Sequence, residues 1–323
     1  MKYRRFGRTG WSVSEVGYGM WGMGSWTDSI DHQSRRSLQT ALDLGCNFFD
    51  TAWAYGDGRS EKLLGELVRT NTDKEIYTAT KIPPKNFIWP SRRGFTLDDC
   101  YPPHHIRRFV EKSLENAWLE RFDLMQFHVW EEDWTDDERW SRTIDDLKSE
   151  GIISAVGISI NRWEPWNGIK TVQSGLIDAV QVIYNIFDQN PEDELFPACE
   201  KNDVAIIARV PFDEGTLTGN VTRKSSWPDD DWRSTYFVPE NLESSADHAD
   251  ALRPVVPKGM TMPEMALRFV LSNPLVSTVI PGMRKAKHVQ DNLAASEAGD
   301  LPADLMQKLR PHRWVRTPTE WSQ

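Results

Sequence analysis

The chain has 323 residues, 39% hydrophobic and 27% charged, with a net charge of −10; this is the composition of a soluble globular protein, and its acidic balance argues against a nucleic-acid footprint, which needs a broad basic face. The three cysteines, Cys46, Cys100 and Cys199, lie far apart and form no CxxC, which argues against a disulfide framework or a thiolate metal site. The opening MKYRRFGRTG has no apolar run of the secretory kind and no stretch reaches the roughly 18 residues of a membrane span, so the expected location is the cytoplasm.

Taken in chain order, Gly7 and Gly10 are turn signals that predict a hairpin at the N-terminus. A strand is predicted over Val13–Gly19 and a helix over Asp31–Leu44, where Leu38, Ala41 and Leu42 share one face. Strand and helix then alternate: Asn47–Ala52 and Ser60–Arg69, Glu75–Ile82 and His104–Leu119, Phe122–Trp130 and Asp136–Glu150, Ser154–Ile160 and Trp163–Gln173. They continue through Asp178–Asn185 and Glu192–Asn202, Val204–Val210 and Pro263–Ser272, and Val276–Pro281 and Lys285–Ser296, with a short helix in the tail Leu301–Gln323. Strands such as VAIIARV are apolar throughout, as strands covered on both faces are. Strand–helix alternation predicts a parallel sheet, and about eight units predict one (β/α)8 TIM-barrel domain over residues 1–323. A doubly wound open sheet is the alternative, weakened because GYGMWG fails the spacing of GxGxxG. Two connections are long, Pro83–Pro103 after the third strand and Pro211–Glu243 after the seventh. Both follow strand C-termini, the end where barrel active sites form.

Polar residues gather at those strand ends: Asp50 and then Tyr55 after the second strand, Lys81 on the third, His128 on the fourth. Each alone has an ordinary reading, as a cap, a packed ring, a solvated amine or a core histidine. Together they make a consistent acid–base set. A tyrosine with a pKa near 10 is a weak acid at neutral pH; an ammonium beside it lowers that value. Lys81 can do this, Asp50 can hold Lys81, and His128 can donate to the same carbonyl oxygen.

FFDTAWAYGDGRSEKLLGE (residues 48–66), TATKI, MQFHVW and STVIPGMRKAKHVQDNLAA together resemble the aldo-keto reductase family over nearly the whole chain. The resemblance implies a barrel that binds NADPH and reduces aldehydes or ketones. It makes Tyr55 the general acid, Lys81 and Asp50 its support, and His128 the group that orients the carbonyl. It implies cofactor contacts from Gly19, Met20 and Trp21, from Asp50, and from Ser159, Asn161 and Gln181 at the carboxamide. The segment Pro211, Phe212, Glu214, Gly215, Thr216 and Gly219 is similar to the loop that wraps a pyrophosphate. GMRKAK at a helix start carries three cations that oppose the helix dipole unless an anion joins them; the 2′-phosphate of NADP is the natural one. The family pattern sets Gly282, Arg284 and His288 toward it, and Asp291 and Asn292 toward the adenine.

Two positions depart from the family. Ile160 separates Ser159 from Asn161, which many members have adjacent. Arg209 stands where many carry an aromatic; a guanidinium plane can also stack on a ring, and its charge would favour the reduced cofactor. The chain holds 15 tryptophans, and Trp21, Trp26, Trp53, Trp89 and Trp130 are read either as core or as an aromatic pocket. Trp21, Trp53, Trp89 and Trp130 are taken as the substrate wall, with Trp232, Arg92 and Arg93 beside it. No metal site is expected, because no His, Cys and Asp cluster has ligand spacing. Two other readings stay open: a lyase forming a Schiff base on Lys81, and a cofactor-binding regulatory subunit.

Overall fold

The computed structural model describes residues 1–24 and 30–322. Trp26 lies outside the described residues. In chain order the elements are β1 (Tyr3–Phe6), β2 (Trp11–Ser14), β3 (Tyr18–Gly19), α1 (Asp31–Asp43), β4 (Phe48–Asp50), α2 (Arg59–Thr70), β5 (Tyr77–Ile82) and α3 (Leu97–Cys100). Then follow α4 (Pro103–Ala117), β6 (Phe122–Phe127), α5 (Glu138–Ser149), β7 (Ile153–Ser159), α6 (Ile169–Ser174), β8 (Ala179–Ile183), α7 (Leu195–Asn202) and β9 (Ala205–Arg209). Last come α8 (Trp232–Tyr236), α9 (Pro239–Leu252), α10 (Met262–Leu271), β10 (Val276–Val279), α11 (Ala286–Ala298) and α12 (Ala303–Leu309).

Strands β3 to β10 pair in parallel in sequence order. The first and last are joined by bridges between Val16 and Val279 and between Gly19 and Gly282, so the sheet closes on itself as a (β/α)8 barrel. The expected hairpin is β1 against β2.

Strand side chains alternate in direction. Phe49, Met125, Val156, Ile158, Val180 and Ile206 belong to one large cluster with helix residues such as Leu38, Leu64 and Ile106. The other set, Phe48, Ala79, Leu124, Ala155, Ala179, Ala205 and Ile207, forms a separate cluster with Phe6 and Val13 of the hairpin. Phe6 lies 5.3 Å from Phe48 ring to ring and stacks on Trp11 at 5.5 Å. The hairpin therefore plugs the end where the strands begin. Two residues further along the same inward face stand Asp50, Lys81, Gln126 and Gln181, and at β9 Arg209 lies two beyond Ile207. The polar layer continues the apolar one.

Local differences from the sequence reading have local causes. The helix expected over Trp163–Gln173 exists only as α6, because Pro165 lacks an amide hydrogen and Gly168 serves as the N-cap. The helix expected from Asp136 is interrupted: a 3₁₀ turn runs over Glu132–Asp136, and Asp137 caps α5 by accepting from the Arg139 amide. The connection after β9 is not structureless. It carries α8 and the start of α9, whose polar sequence hid the helical period; Pro239 at the first turn was the available signal. No helix among the described residues is long and apolar enough to cross a membrane.

Candidate active site

At the C-terminal end of the barrel Lys81 Nζ lies 2.5 Å from Asp50 Oδ1, 2.8 Å from the Thr51 carbonyl and 3.3 Å from Tyr55 Oη. The pair is buried, 1% exposed at Lys81 and 2% at Asp50. Such a pair survives only when its remaining polar capacity is filled. Here it is: Asp50 Oδ2 accepts from Gln126 Nε2 at 2.8 Å and Gln181 Nε2 at 2.9 Å, and Gln181 Nε2 also donates to Gln126 Oε1 at 3.0 Å. Gln181 thus directs its amide nitrogen to Asp50 and Gln126.

Gln126 was missed by the sequence reading. The signal was present, since it interrupts the apolar FDLMQF two residues before His128 and so shares its inward face. Gly157 beside it makes the room: a Cβ there would meet the Ala179 carbonyl at 2.9 Å and Gln126 Cγ at 3.3 Å. Gln126→Leu is expected to lower kcat about ten-fold, because a hydrogen bond to a charged group contributes roughly 1.5–3 kcal/mol. Cofactor affinity should stay unchanged. Steady-state kinetics with fluorescence titration of the cofactor checks both.

Tyr55 comes from the turn before α2, which Gly58 starts with φ +89. Its ring sits edge-on to His128, 5.7 Å between centroids, and Lys81 Nζ lies 5.0 Å from the ring centre. Burial pushes the Tyr55 hydroxyl above its ordinary pKa, and the opposing pull of Lys81 does not cancel it. This corrects the expectation of a lowered value and leaves Tyr55 a protonated donor. Burial opposes the Lys81 charge, but Asp50 and then Tyr55 outweigh it and raise the lysine's pKa. His128 is held well below its usual pKa by burial, then by Lys81 and Arg209, so it is neutral; its Nδ1 has no partner among the described residues.

These groups open into a cavity of about 870 Å³. Gly19, Met20, Trp21, Asp50, Ser159, Asn161, Gln181, Arg209, Pro211, Phe212, Glu214, Gly215, Gly282, Arg284 and His288 all line it, as do Trp53, Trp89 and Trp232. The aromatic part falls in two groups: Trp21 lies 4.8 Å from Trp232, while Trp53 lies 6.0 Å from Phe87 and Phe87 6.1 Å from Trp89, which stands 5.7 Å from His128. Phe87 was not singled out by sequence. At the far wall Arg284 lies against Gly22, where a Cβ would meet its Cδ at 2.9 Å.

Several residues expected at the site lie off this wall or are engaged within the protein. Trp130 is fully buried and not on the wall; it packs against Phe127, Trp134 and Trp140 and donates from Nε1 to Thr171 Oγ1 at 2.8 Å. It lies behind the barrel because the chain has already left β6. Arg92 and Arg93 are exposed and off the wall. Thr216 is buried beneath it, and Gly219 gives its carbonyl to Arg253 at 3.0 Å. Asp291 is exposed and pairs with Lys287 at 2.8 Å, and Asn292 is buried on α11. Asn161 reaches the wall, but its amide donates to Ser91 and Glu131, both at 3.0 Å, and to Glu164 at 3.2 Å.

Arg209 has one hydrogen bond among the described residues, Nη2 to the Ile160 carbonyl at 3.1 Å, and its Nε has none. Burial, then Arg162, push its pKa down to about 10. A guanidinium with spare donors at a cavity wall fits a ligand that is anionic or presents a ring face. A Cβ on Gly282 would meet nothing within 4 Å, and Gly215 takes φ +108 on the same wall. A large cavity with glycine-lined backbone, open cation donors and an aromatic end fits a nicotinamide dinucleotide.

Tyr55, Lys81, Asp50 and His128 thus meet at one mouth of a parallel barrel, the end where barrel active sites form. The family model described as the Aldo/keto reductase family matches residues 15–313, and the chain belongs to that family of oxidoreductases, which use nicotinamide cofactors. It is 29% identical to the oxidoreductase YqkF of Bacillus subtilis, covering 97% of this chain and 96% of that one. It is 26% identical to the NADH-specific methylglyoxal reductase of Escherichia coli, covering 96% and 98%. The solved holo form of an aldo-keto reductase from Bacillus halodurans superposes over 100% of both chains with a TM-score of 0.77 at 25% identity.

Proposed function

We propose that the chain is an NADP(H)-dependent carbonyl reductase that interconverts aldehydes or ketones with alcohols. The observation that carries this reading is the Tyr55 hydroxyl, protonated and 3.3 Å from Lys81, facing a cavity it shares with a neutral His128. A bound nicotinamide supplies or accepts hydride. Tyr55 gives the proton to the carbonyl oxygen, and His128 offers that oxygen a second, uncharged contact. Lys81 stabilises the phenolate left behind, and Asp50, fixed by Gln126 and Gln181, keeps Lys81 charged. Trp21, Trp53, Phe87, Trp89 and Trp232 exclude water and offer flat apolar area to the substrate. Gly19, Met20, Ser159, Arg209, Pro211, Phe212, Glu214, Gly215, Gly282, Arg284 and His288 would hold the cofactor.

A Schiff base on Lys81 is disfavoured, because a lysine with a raised pKa and three polar contacts is a poor nucleophile. A regulatory binder would keep the same site without turnover. NADPH oxidation against a panel of aromatic aldehydes, aldoses and ketones is the test; cofactor binding with no turnover on any carbonyl would overturn the reductase reading.

The choice of NADP rests on Arg284 and His288 at the wall and Lys285 and Lys287 at the start of α11. Arg284→Ala is expected to lower the NADPH-to-NADH ratio of kcat/KM by about 10- to 100-fold, the worth of one or two charge-assisted bonds. An unchanged ratio would remove Arg284 from the cofactor choice, and a parent ratio below one would place this chain with the NADH users.

A further inference from the structure

The tail sequence RWVRTPTEW carried no role in the sequence reading. In the structure Val315 is exposed to solvent while its neighbour Arg316 turns inward and is 6% exposed. Arg316 Nη2 donates to Asp213 Oδ1 at 2.8 Å and to Asp188 Oδ2, which it meets in a close ion pair. Its guanidinium lies between two tryptophan rings, 4.6 Å from Trp163 and 4.4 Å from Trp314. Trp314 is itself stacked on His248 of α9 at 3.9 Å, and its amide donates to the Phe187 carbonyl at 2.8 Å. One side chain thus joins the connections after β7 (Trp163), β8 (Asp188) and β9 (Asp213).

Trp163 takes φ 59, but the connection after β9 carries the longer left-handed run. Asp213, Glu214 and Gly215 take φ of 46, 55 and 108 in succession. Two of these are non-glycine residues in the left-handed region, where single residues persist only when their surroundings over-determine them. Asp213 is held by Arg316, and Glu214 by Arg162 at 2.6 Å. Phe212, Glu214 and Gly215 are cavity wall, and so is Ser322, six residues beyond Arg316. The strained turn shapes the site, and the tail fixes the turn.

We propose that Arg316 is a positioning residue: it locks the left-handed turn 213–215 in the shape that holds the dinucleotide, so that the C-terminal tail sets how tightly the cofactor is kept. The inference rests on the reading of the cavity as a nicotinamide dinucleotide site. Without the lock the turn relaxes toward ordinary backbone geometry, and the apparent affinity falls in proportion to the binding-competent fraction.

The test is Arg316→Met, which keeps bulk between the tryptophans and removes the charge and the bonds. Cofactor affinity is read by tryptophan fluorescence, and hydrogen exchange of residues 211–219 is read in the cofactor-free protein. Expected are a Kd for NADPH and for NADH raised about ten-fold or more, kcat at saturating cofactor within about two-fold of the parent, and faster exchange in the turn and at most in the two other connections Arg316 touches, with the barrel strands unchanged. Arg316→Lys, with charge but no planar fork, is expected to fall between the two. If Arg316→Met does not fold, Asp213→Asn gives the same readouts. Unchanged Kd and unchanged exchange in the turn would overturn the proposal. So would a loss of kcat in step with affinity and with exchange across the whole barrel, since that marks a merely structural residue. A parent that binds no nicotinamide nucleotide overturns the function reading instead, and the exchange arm still decides whether Arg316 locks the turn.

Discussion

Replacing Tyr55 by phenylalanine is expected to lower carbonyl turnover by roughly 10²–10⁴-fold while leaving cofactor affinity within error, the usual contribution of a positioned acid. The substitution removes one oxygen and keeps the ring that packs edge-on to His128 and under Lys81, so the wall of the cavity stays as it is. A variant that retains more than about a tenth of the parent kcat would assign the proton to another group. The pH dependence gives an independent check with a definite sign. Burial holds the Tyr55 pKa above its ordinary 10, Lys81 only partly offsetting it. Reduction consumes the protonated form, so kcat/KM for carbonyl reduction should stay level through neutral pH and fall only as pH rises through that raised value. Alcohol oxidation needs the phenolate and should climb over the same alkaline range. An alkaline fall in reduction below about pH 9 would mean that a group other than Tyr55 limits the rate.

Much of this site was legible in the sequence because barrel strands write their inward face at period two. Asp50, Lys81 and His128 each break an apolar run at its C-terminal end, and the closed parallel sheet brings those ends to one rim. What was not legible depended on where chains leave the sheet. Trp130 stands two residues beyond His128, and by strand parity it shares its face; the chain has turned by then, and the ring enters the layer between barrel and helices. Gln126 obeyed the parity and was overlooked because glutamine does not titrate. Asn161 is at the rim, and its side-chain amide is engaged with Ser91, Glu131 and Glu164, which come from three different connections and so form a network that no local pattern shows. The sign of the Tyr55 shift needed burial as well as neighbours, and burial is a property of the assembled mouth.

The second large effect concerns the pair beneath that tyrosine. Lys81→Met is expected to destabilise the fold by about 3–5 kcal/mol, because it leaves the Asp50 carboxylate buried without its counter-charge. The two glutamine donors serve only one of its oxygens; the other is met by Lys81. The double variant Asp50→Asn with Lys81→Met removes the charge as well. It should regain a large part of the lost stability, with a coupling of roughly 2 kcal/mol or more between neighbours in one network. It should regain none of the activity, since Tyr55 then lacks the cation that stabilises its phenolate. Thermal and denaturant unfolding of the parent, both single variants and the double variant close the cycle. Additive losses would show that the pair contributes nothing beyond its separate contacts. Recovery of stability without recovery of turnover would separate two roles that one salt bridge performs: it makes a buried aspartate tolerable at the centre of the barrel, and it holds a positive charge under the proton donor.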